Sequence, residues 1–434
     1  MNERQETSLN FHQKETVALL SIGTFLEYFD LMLYVHMAVL LDELFFPKTD
    51  PFTTAILAAF TFSSTYVMRP FGALIFGYIG DHVGRKPTVI ITTVMMSISC
   101  VIMANLPTYA QIGISASWII TICRMAQGLS TMGEVMGANI YIMEIVKPPI
   151  QYPAVALMAI CGAIGGSASL AIASLSTSYN FNWRTAFWVG AIIAVVGAVA
   201  RSRLRETHDF TEAKSKANYD LTNNSNNNEF LKNGLDTSKK VDKKIALSLF
   251  YIECSWPVCF YIAYMYCGNL LKSSFGYTAE QVIHQNFIVS LVQLASFFMM
   301  AVLSYKIYPL KILKVKLLIF LGFNAFLPHL LYNANTPDQI LFIQCFIVVF
   351  GFMGLPAMPV FYKHIPILRR FTYATFMYAL SRAFIYVVTS FGLVYCSNYF
   401  GHWGLLIIII PTAACFTYGL HCFETLDNKG KINY

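Results

Sequence analysis

Runs of about 20 consecutive apolar residues recur along the whole chain and limit its possible folds more than any other feature. A hydrocarbon core of ~30 Å needs about 20 helical residues to cross it. The runs are continuously apolar and do not alternate with polar residues, which favours helices over a β-barrel. Only 12% of the 434 residues are charged, against about 25% in an ordinary soluble domain. The sequence therefore predicts an all-α integral membrane protein.

The apolar runs number twelve, and each one predicts a transmembrane helix. They lie at about 17–41, 52–79, 88–106, 112–146, 149–173, 185–200, 245–271, 279–305, 312–332, 338–362, 372–396 and 402–423.

Basic residues are distributed very unevenly between the loops on the two sides. With twelve spans, 24 of the 30 Lys and Arg residues fall on the side of the termini, and only Lys48, Arg184 and Lys272 fall opposite. Cytoplasmic loops carry the excess of basic residues in membrane proteins. We therefore expect a multi-pass protein of the plasma (inner) membrane with both termini cytoplasmic. The net charge of +7 is explained by this orientation and does not indicate nucleic-acid binding.

One long hydrophilic segment, residues 201–244, is rich in Asn, Lys and Ser and lacks hydrophobic periodicity. Such a composition predicts a flexible cytoplasmic linker. It divides the chain into a six-helix bundle at 1–200, a second six-helix bundle at 245–425 and a short cytoplasmic tail at 426–434. Two bundles of this kind suggest pseudo-symmetric repeats with a solute site between them near the midplane.

The loop between the second and third spans carries a recognisable motif. It resembles the signature G-x-x-x-D-R-x-G-R-R/K of the major facilitator superfamily, with His82 in place of the first Arg. The matching residues are Gly77, Asp81, Gly84, Arg85 and Lys86. The resemblance implies the twelve-helix fold of that family, and a loop that latches the two halves during transport. Glu144 is expected to pair with Arg85 in this latch.

Two further patterns resemble the metabolite:proton symporter branch of the same family. Span one contains Gly23, Glu27, Tyr28, Phe29 and Asp30, which match G-x-x-x-E-[WY]-F-D. Span four contains a second branch pattern, carried by Arg124, Met125, Ala126, Gln127, Gly128, Gly133 and Glu134. The resemblance covers residues 17–210 and implies proton-coupled uptake of a small solute.

Glu27, Asp30 and Arg124 are charges within predicted spans. Such residues are costly in the bilayer, by about 2.5–3.5 kcal/mol on insertion scales, and usually serve a function. Glu27 and Asp30 are three residues apart and share a helical face. We expect one of them to carry the proton, and Arg124, with Gln127 one turn on, to bind the solute or pair with the acid. The alternative is a structural ion pair between spans one and four.

The second half offers fewer candidates. Glu253 is expected to line the site from the other side, and Arg382, which has no evident acidic partner, is expected to snorkel. Trp256-Pro257 in span seven, and Gly351, Gly354, Pro356 and Pro359 in span ten, predict helix interruptions of the kind that border transporter sites. Tyr28 and Trp256 are candidates for an aromatic contact with a quaternary ammonium. Arg69, which precedes Pro70, is assigned a structural role.

These observations predict a proton-coupled symporter working by alternating access. The solute implied by the resemblance is a small osmolyte such as proline or glycine betaine. A di- or tricarboxylate symporter of the same branch is the alternative, and a second cationic residue facing the cavity, for which Arg382 is the candidate, would favour it. An alternative of another class is a transport-deficient sensor or decaying paralogue.

Other classes of function find little support in the sequence. It contains no P-loop, HExxH or nucleophile elbow, so an enzyme is not expected. The ten cysteines are scattered without a CxxC pair, so neither a metal site nor a disulfide framework is expected. We expect no cofactor other than the proton gradient. The expected partners are the solute, protons and the bilayer, and the protein is expected to be monomeric.

Overall fold

The structure is a computed structural model. It describes residues 9–47, 50–82, 85–131, 139, 142–143, 145–178, 182–202, 242–365 and 367–432. We call residues 9–202 the first half and residues 242–432 the second half.

The first half is built of helices. Those with described bounds are α1 (Phe11–Phe45), α2 (Pro51–Val67), α3 (Arg69–His82), α4 (Arg85–Asn105), α5 (Tyr109–Ile112), α6 (Ile114–Ser130), α7 (Gln151–Ser178) and α8 (Arg184–Ser202).

The second half is also helical and includes one π-helix, Tyr261–Tyr266, and a short 3₁₀ turn, Gly401–Trp403. Its α-helices are α9 (Lys243–Glu253), α10 (Ser255–Phe260), α11 (Cys267–Phe275), α12 (Ala279–Lys306), α13 (Pro309–Tyr332), α14 (Pro337–Phe350), α15 (Met358–Tyr362), α16 (Ile367–Phe400) and α17 (Gly404–Ile432).

Five helical stretches among the described residues are long and apolar enough to cross a membrane. They are Gln13–Ala38, Gln151–Ser176, Lys243–Phe275, Ala279–Lys306 and Tyr373–Asn428. The last stretch contains two helices, α16 and α17, joined by the short turn. The all-α membrane class is therefore confirmed, whereas the count of twelve spans stays a prediction.

Local sequence signals explain where several helices begin and end. The Asn10 side chain accepts a hydrogen bond from the Gln13 N–H, and the Gln13 side chain accepts one from the Asn10 N–H, which is a capping box at the start of α1. Asp50 caps α2 ahead of Pro51 at its first position. The end of α11 is closed by Gly276 at φ 65°, a left-handed conformation that favours glycine.

The two halves meet along two helix pairs, α7 with α12 and α2 with α16. Both ends of the described chain lie at one end of the molecule, which we call the proximal end. There the Gln13 side chain donates to the Ile145 carbonyl at 2.8 Å, Tyr152 packs edge-on against Tyr308, and Tyr308 donates to Asp427 near the end of α17. The opposite end is called the distal end.

The predicted interruptions of spans seven and ten are both present. The seventh span turns at Cys254 and continues as a π-helix from Tyr261. The tenth is non-helical from 351 to 357, between α14 and α15, and all seven of these residues are buried. Irregular backbone at membrane depth is tolerated where it is buried in protein or lines a cavity.

A buried amide cluster holds the π-helix in place. The Gln344 side chain donates to the Ala263 carbonyl at 2.7 Å and to Asn286, and it accepts from Gln285 at 2.7 Å. A π-helix is rare, and it survives where the groups released from ordinary α-helical pairing find other partners. The cluster ties α12 and α14 to the irregular part of span seven.

Glycines allow α6 to approach the second span very closely. A Cβ added at Gly128 would overlap the backbone carbonyl of Thr65, and one at Gly72 would overlap that of Leu129. Backbone atoms cannot move aside as a flexible side chain can. Small residues at such crossings are typical of membrane helix packing.

Replacing Gly128 with Ala should therefore lower the thermal stability of the purified protein. Overpacking a tight site costs about 1–3 kcal/mol. Gly322→Ala is the matched control, because a Cβ there meets nothing within 4 Å. Thermal unfolding in detergent should show a lower Tm for Gly128→Ala and an unchanged or higher Tm for Gly322→Ala. Equal Tm values for the two variants would contradict the close approach.

Candidate functional site

A chamber lies between the two halves, about midway along the helices that line it. Its volume of about 180 Å³ is enough for roughly a dozen water molecules, or for one small solute. Its polar or aromatic lining residues include Tyr28, His36, Tyr66 and Arg69 from the first half, and Glu253, Trp256, Tyr264, Gln293, Tyr378, Arg382 and Tyr386 from the second. The walls are otherwise mainly apolar.

Glu253 and Arg382 form a buried ion pair in the chamber wall. The Arg382 Nη2 lies 3.3 Å from the Glu253 Oε2, and the Nη1 donates to the Glu253 backbone carbonyl. The Tyr362 hydroxyl donates to the Glu253 Oε1 at 2.8 Å. The expectation that Arg382 snorkels was wrong. The helix turn at Cys254 and the irregular tenth span bring partners from distant parts of the sequence to both charges.

Arg69 presents a second guanidinium to the chamber. Its side chain is 3% exposed, and its Nε and Nη2 have no hydrogen-bond partner among the described residues. The guanidinium lies over the Tyr66 ring, with its Cζ 4.4 Å from the ring centroid. Tyr66 in turn stacks on Tyr386 across the two halves, at 3.8 Å between centroids. Arg69 is therefore held in a cation–π contact, with donor capacity left over.

Aromatic side chains form much of the remaining wall. The Tyr28 phenol lies next to that of Tyr378 across the halves. Trp256 packs at 6.2 Å from Phe297, and Arg382 lies over the Tyr378 ring at 4.4 Å. Such a wall is suited to a small cationic or apolar group.

His36 contributes an imidazole to the chamber. It is 4% exposed, and its Nδ1 has no hydrogen-bond partner among the described residues. Its ring lies 5.7 Å from that of Tyr264 in the other half, and the Tyr264 hydroxyl donates to Gln293 at 2.8 Å.

The sequence reasoning did not single out His36, and it gave Arg69 a structural role. A signal for His36 was present, since Tyr28, Met32 and His36 are spaced by four residues and share one face of α1. All three line the chamber.

The predicted site residues divide into two groups in the structure. Tyr28, Glu253 and Trp256 line the chamber, and their predicted role in binding the solute stays a prediction. Glu27 is buried beside them, one helical turn from Thr24 and Leu31, which are also lining residues.

Asp30, Arg124 and Gln127 lie in a seam behind this wall. Asp30 faces Cys100 on α4 and Gly190 on α8. Arg124 is fully buried, donates to the Gln127 Oε1 at 2.8 Å and lies over the Tyr34 ring at 4.0 Å. Gln127 donates to the Cys100 Sγ at 3.7 Å. The roles predicted for Glu27, Asp30, Arg124 and Gln127 stay predictions.

The predicted latch cannot be described at the level of side chains. Gly84 and Glu144 lie outside the described residues. The side chains of Asp81, Arg85 and Lys86, and the surroundings of Gly77, are likewise outside that part of the structure. Within it, no cluster of three potential metal ligands occurs.

At the distal end, an ion pair closes the space between the halves. The Lys272 Nζ lies 2.6 Å from the Glu43 Oε1, which connects α11 to α1. Phe52 on α2 packs edge-on against Tyr395 on α16, with centroids 5.4 Å apart. We call these two contacts the distal gate.

Asp42, next to Glu43, adds a titratable group to this gate. It lies beyond the apolar stretch Gln13–Ala38. Burial raises its pKa from the ordinary 3.8 to about 7, against the opposing effect of Lys272 and with a small contribution from Glu43. A protonated Asp42 is therefore favoured while the gate is closed.

A sequence profile described as Major Facilitator Superfamily matches residues 20–392. The chain belongs to this family. The family resemblance inferred from the loop motif is thereby confirmed.

Curated relatives within the family match about half of this chain. The proline/betaine transporter of Salmonella typhimurium is 34% identical over 210 residues, which are 47% of this chain and 42% of the relative. The inner membrane metabolite transport protein of Escherichia coli K12 is 34% identical over 224 residues, 50% of this chain and 51% of the relative. The chain thus spans about half the length of the curated relatives it matches.

Among solved structures, a D-xylose-proton symporter superposes with a TM-score of 0.69. The match covers 93% of this chain and 97% of that one at 16% identity. At this level of identity the likeness shows the fold alone.

The distal gate should open as the pH rises. An open gate would hydrate Asp42 and restore its ordinary pKa, so lowering the pH from 7 towards 4 should favour closure by up to about tenfold per unit. Spin labels at Thr53→Cys and Tyr399→Cys, both exposed residues on opposite halves of the distal end, should report a longer distance at pH 8 than at pH 5. The signal from the unsubstituted protein, labelled in the same way, is subtracted to remove the contribution of the native cysteines.

Two neighbouring carboxylates provide the matched comparison. Asp42→Asn should abolish the dependence of the distance on pH. Glu43→Gln should lengthen the distance at every pH and keep the dependence, because it removes only the ion pair with Lys272. If the distance in Asp42→Asn still depended on pH as in the unsubstituted protein, Asp42 would not be the group that makes the gate sensitive to pH.

Proposed function

We propose that the protein is a proton-coupled symporter of a small solute that carries one carboxylate, with proline or glycine betaine as the first candidates. The observation that carries this proposal is the Arg69 guanidinium, which belongs to a residue lining the chamber and has two buried nitrogens without a hydrogen-bond partner among the described residues. A buried guanidinium with spare donors is suited to a carboxylate, which it binds through two parallel hydrogen bonds.

The charge balance of the chamber supports a single carboxylate. Arg382 is neutralised by Glu253 at 3.3 Å, so Arg69 supplies the excess positive charge among the described lining residues. One carboxylate compensates one guanidinium, and a second would need the Glu253–Arg382 pair to break. Breaking a buried pair costs about 3–5 kcal/mol.

The aromatic wall supports a zwitterion over a simple acid. Tyr28, Tyr378 and Trp256 offer ring faces within the same chamber as Arg69. A quaternary or secondary ammonium gains about 0.5–2 kcal/mol from such a face. A solute with a carboxylate and an ammonium a few bonds apart therefore finds complementary groups in one small volume.

Transport is proposed to proceed by alternating access, with the two halves opening at either end. The distal gate, and the Tyr152–Tyr308 contact at the proximal end, are suited to that motion. The roles that the sequence predicts for Glu27 and Asp30 in proton coupling, for Arg124 and Gln127 in binding the solute or pairing with the acid, and for residues 77–86 with Glu144 as a latch stay predictions. In this proposal the membrane is the bacterial inner membrane, with the proximal end cytoplasmic.

A tricarboxylate is the second candidate. One relative is the citrate-proton symporter of Klebsiella pneumoniae, 30% identical over 196 residues, 44% of each chain. The observation in its favour is that a second guanidinium, that of Arg382, also reaches the chamber.

Replacing Arg69 with Gln should weaken binding of proline or glycine betaine by about 10- to 150-fold, the equivalent of losing hydrogen bonds to a charged group worth about 1.5–3 kcal/mol. Arg69→Lys should recover part of the affinity, since it restores the charge but not the paired donors. Arg184→Gln is the control, because Arg184 lies at the distal end and donates to the Leu106 carbonyl. Binding is measured by calorimetry on protein in nanodiscs.

The same assay separates the candidate solutes. Tighter binding of proline or glycine betaine than of citrate supports the proposal. Tighter binding of citrate would make a tricarboxylate the solute, still bound at Arg69. Affinity for proline or glycine betaine that is equal in Arg69→Gln and the unsubstituted protein would refute the Arg69 site. A protein that binds none of these solutes would favour a sensor or a decayed paralogue.

A further inference from the structure

We propose that His36 is the residue of the chamber that binds a proton together with the solute. The inference rests on the proposed function and specifies how the solute site couples to protons. It assigns to an imidazole inside the chamber a role that the sequence gave to Glu27 or Asp30.

The position of His36 is the first support. His36 lines the chamber from α1 and faces Tyr264 across the boundary between the halves, at 5.7 Å between rings. A residue that carries a proton must be reached from one side and then from the other. A lining residue of a chamber that opens at alternate ends meets this condition. Asp30 lies in the seam with Cys100 and Gly190 instead.

The surroundings of His36 are the second support. The Tyr264 phenol is the titratable group that faces it from the π-helix, and α7 presents Gly166 near the Nε2. The charged groups sharing the chamber are Arg69 and the neutralised pair of Glu253 and Arg382. Its Nδ1 has no hydrogen-bond partner among the described residues. In the empty chamber, nothing described favours the charged imidazolium.

A bound carboxylate reverses this balance. A negative charge within ~8 Å of the ring, at an effective dielectric constant of about 20, favours the imidazolium by more than tenfold. Arg69 and His36 line the same chamber, so the carboxylate of a solute held at Arg69 enters the space that the imidazole also borders. Solute binding and proton binding then strengthen each other, as linkage requires.

The proton balance follows the solute. With the distal gate open, one proton passes from external water to an imidazole nitrogen as the solute carboxylate binds. When the proximal end opens and the solute leaves, the imidazolium loses its counter-charge and remains near Arg69. The repulsion favours release of the same proton to water on that side. One proton therefore crosses with each solute that His36 accompanies.

Calorimetry in buffers of different ionisation enthalpy tests this inference. Phosphate and Tris give the number of protons taken up per solute bound. The probes are glycine betaine, proline, citrate and acetate. The unsubstituted protein should take up protons as it binds the solute, at most one per solute, and its affinity should fall as the pH rises, by at most about tenfold per pH unit.

His36→Gln and His36→Phe should bind the solute with proton uptake near zero and with little dependence on pH. The phenylalanine variant keeps an aromatic ring against Tyr264, so the test can still be made with it if the glutamine variant does not fold. His284→Gln is the matched control, because His284 is exposed on α12, and it should behave as the unsubstituted protein does.

Several results would overturn the inference. Proton uptake in the two His36 variants equal to that of the unsubstituted protein refutes it, as does proton uptake abolished by Asp30→Asn alone. Solute binding without proton uptake in the unsubstituted protein also refutes it. Proton uptake that depends on His36 with citrate, but not with glycine betaine or proline, supports His36 while refuting the proposed solute. Absence of binding with all four probes refutes both proposals.

Discussion

The pairing of Glu253 with Arg382 determines the charge of the central chamber, and the site depends on that charge. An unpaired guanidinium in the apolar interior is very costly, so Arg382 is stable there because Glu253 pairs with it, and the Tyr362 hydroxyl donates to the same carboxylate. Arg69 has no such acid among the described residues and rests on the Tyr66 ring instead. The Arg382 guanidinium is neutralised and the Arg69 guanidinium is available. The chamber therefore carries one excess positive charge and is suited to a solute with one negative charge.

The helix irregularities explain how these groups meet. The seventh span contains a π-helix, and Gln344 donates a hydrogen bond to its Ala263 carbonyl. The non-helical segment from 351 to 357 brings Met353, Gly354 and Leu355 to the chamber wall. Prolines and glycines interrupt the tenth span without exposing unpaired backbone to lipid. The irregular parts of the second half therefore lie where the solute is proposed to bind.

Much of the architecture could be predicted from the sequence, because it depends on local and periodic signals. The apolar runs gave the all-α membrane class, the loop motif gave the family, and Pro257 and Gly351 marked the interrupted spans. The solute-binding candidates Tyr28, Glu253 and Trp256 line the chamber, and their role stays a prediction. These predictions needed only the length, hydropathy and composition of single segments.

The pairing of distant side chains could not be predicted in the same way. The partner of Arg382 lies 129 residues away in sequence, and nothing in either segment indicates that they meet. Arg69 and Arg124 are both arginines inside apolar spans, but helix rotation turns the first to the chamber and the second to Tyr34. Such rotations are set by packing against neighbouring helices, including the close approach at Gly128, and one sequence does not specify them.

The central claim is that the chamber takes up one carboxylate-bearing solute together with a proton. The most direct test is the lumenal pH of proteoliposomes that enclose a pH-sensitive dye, after external glycine betaine or proline is added without an imposed gradient. The account predicts acidification of the lumen that depends on the solute, and that is absent from liposomes without protein. Solute entry without any change in lumenal pH would contradict it.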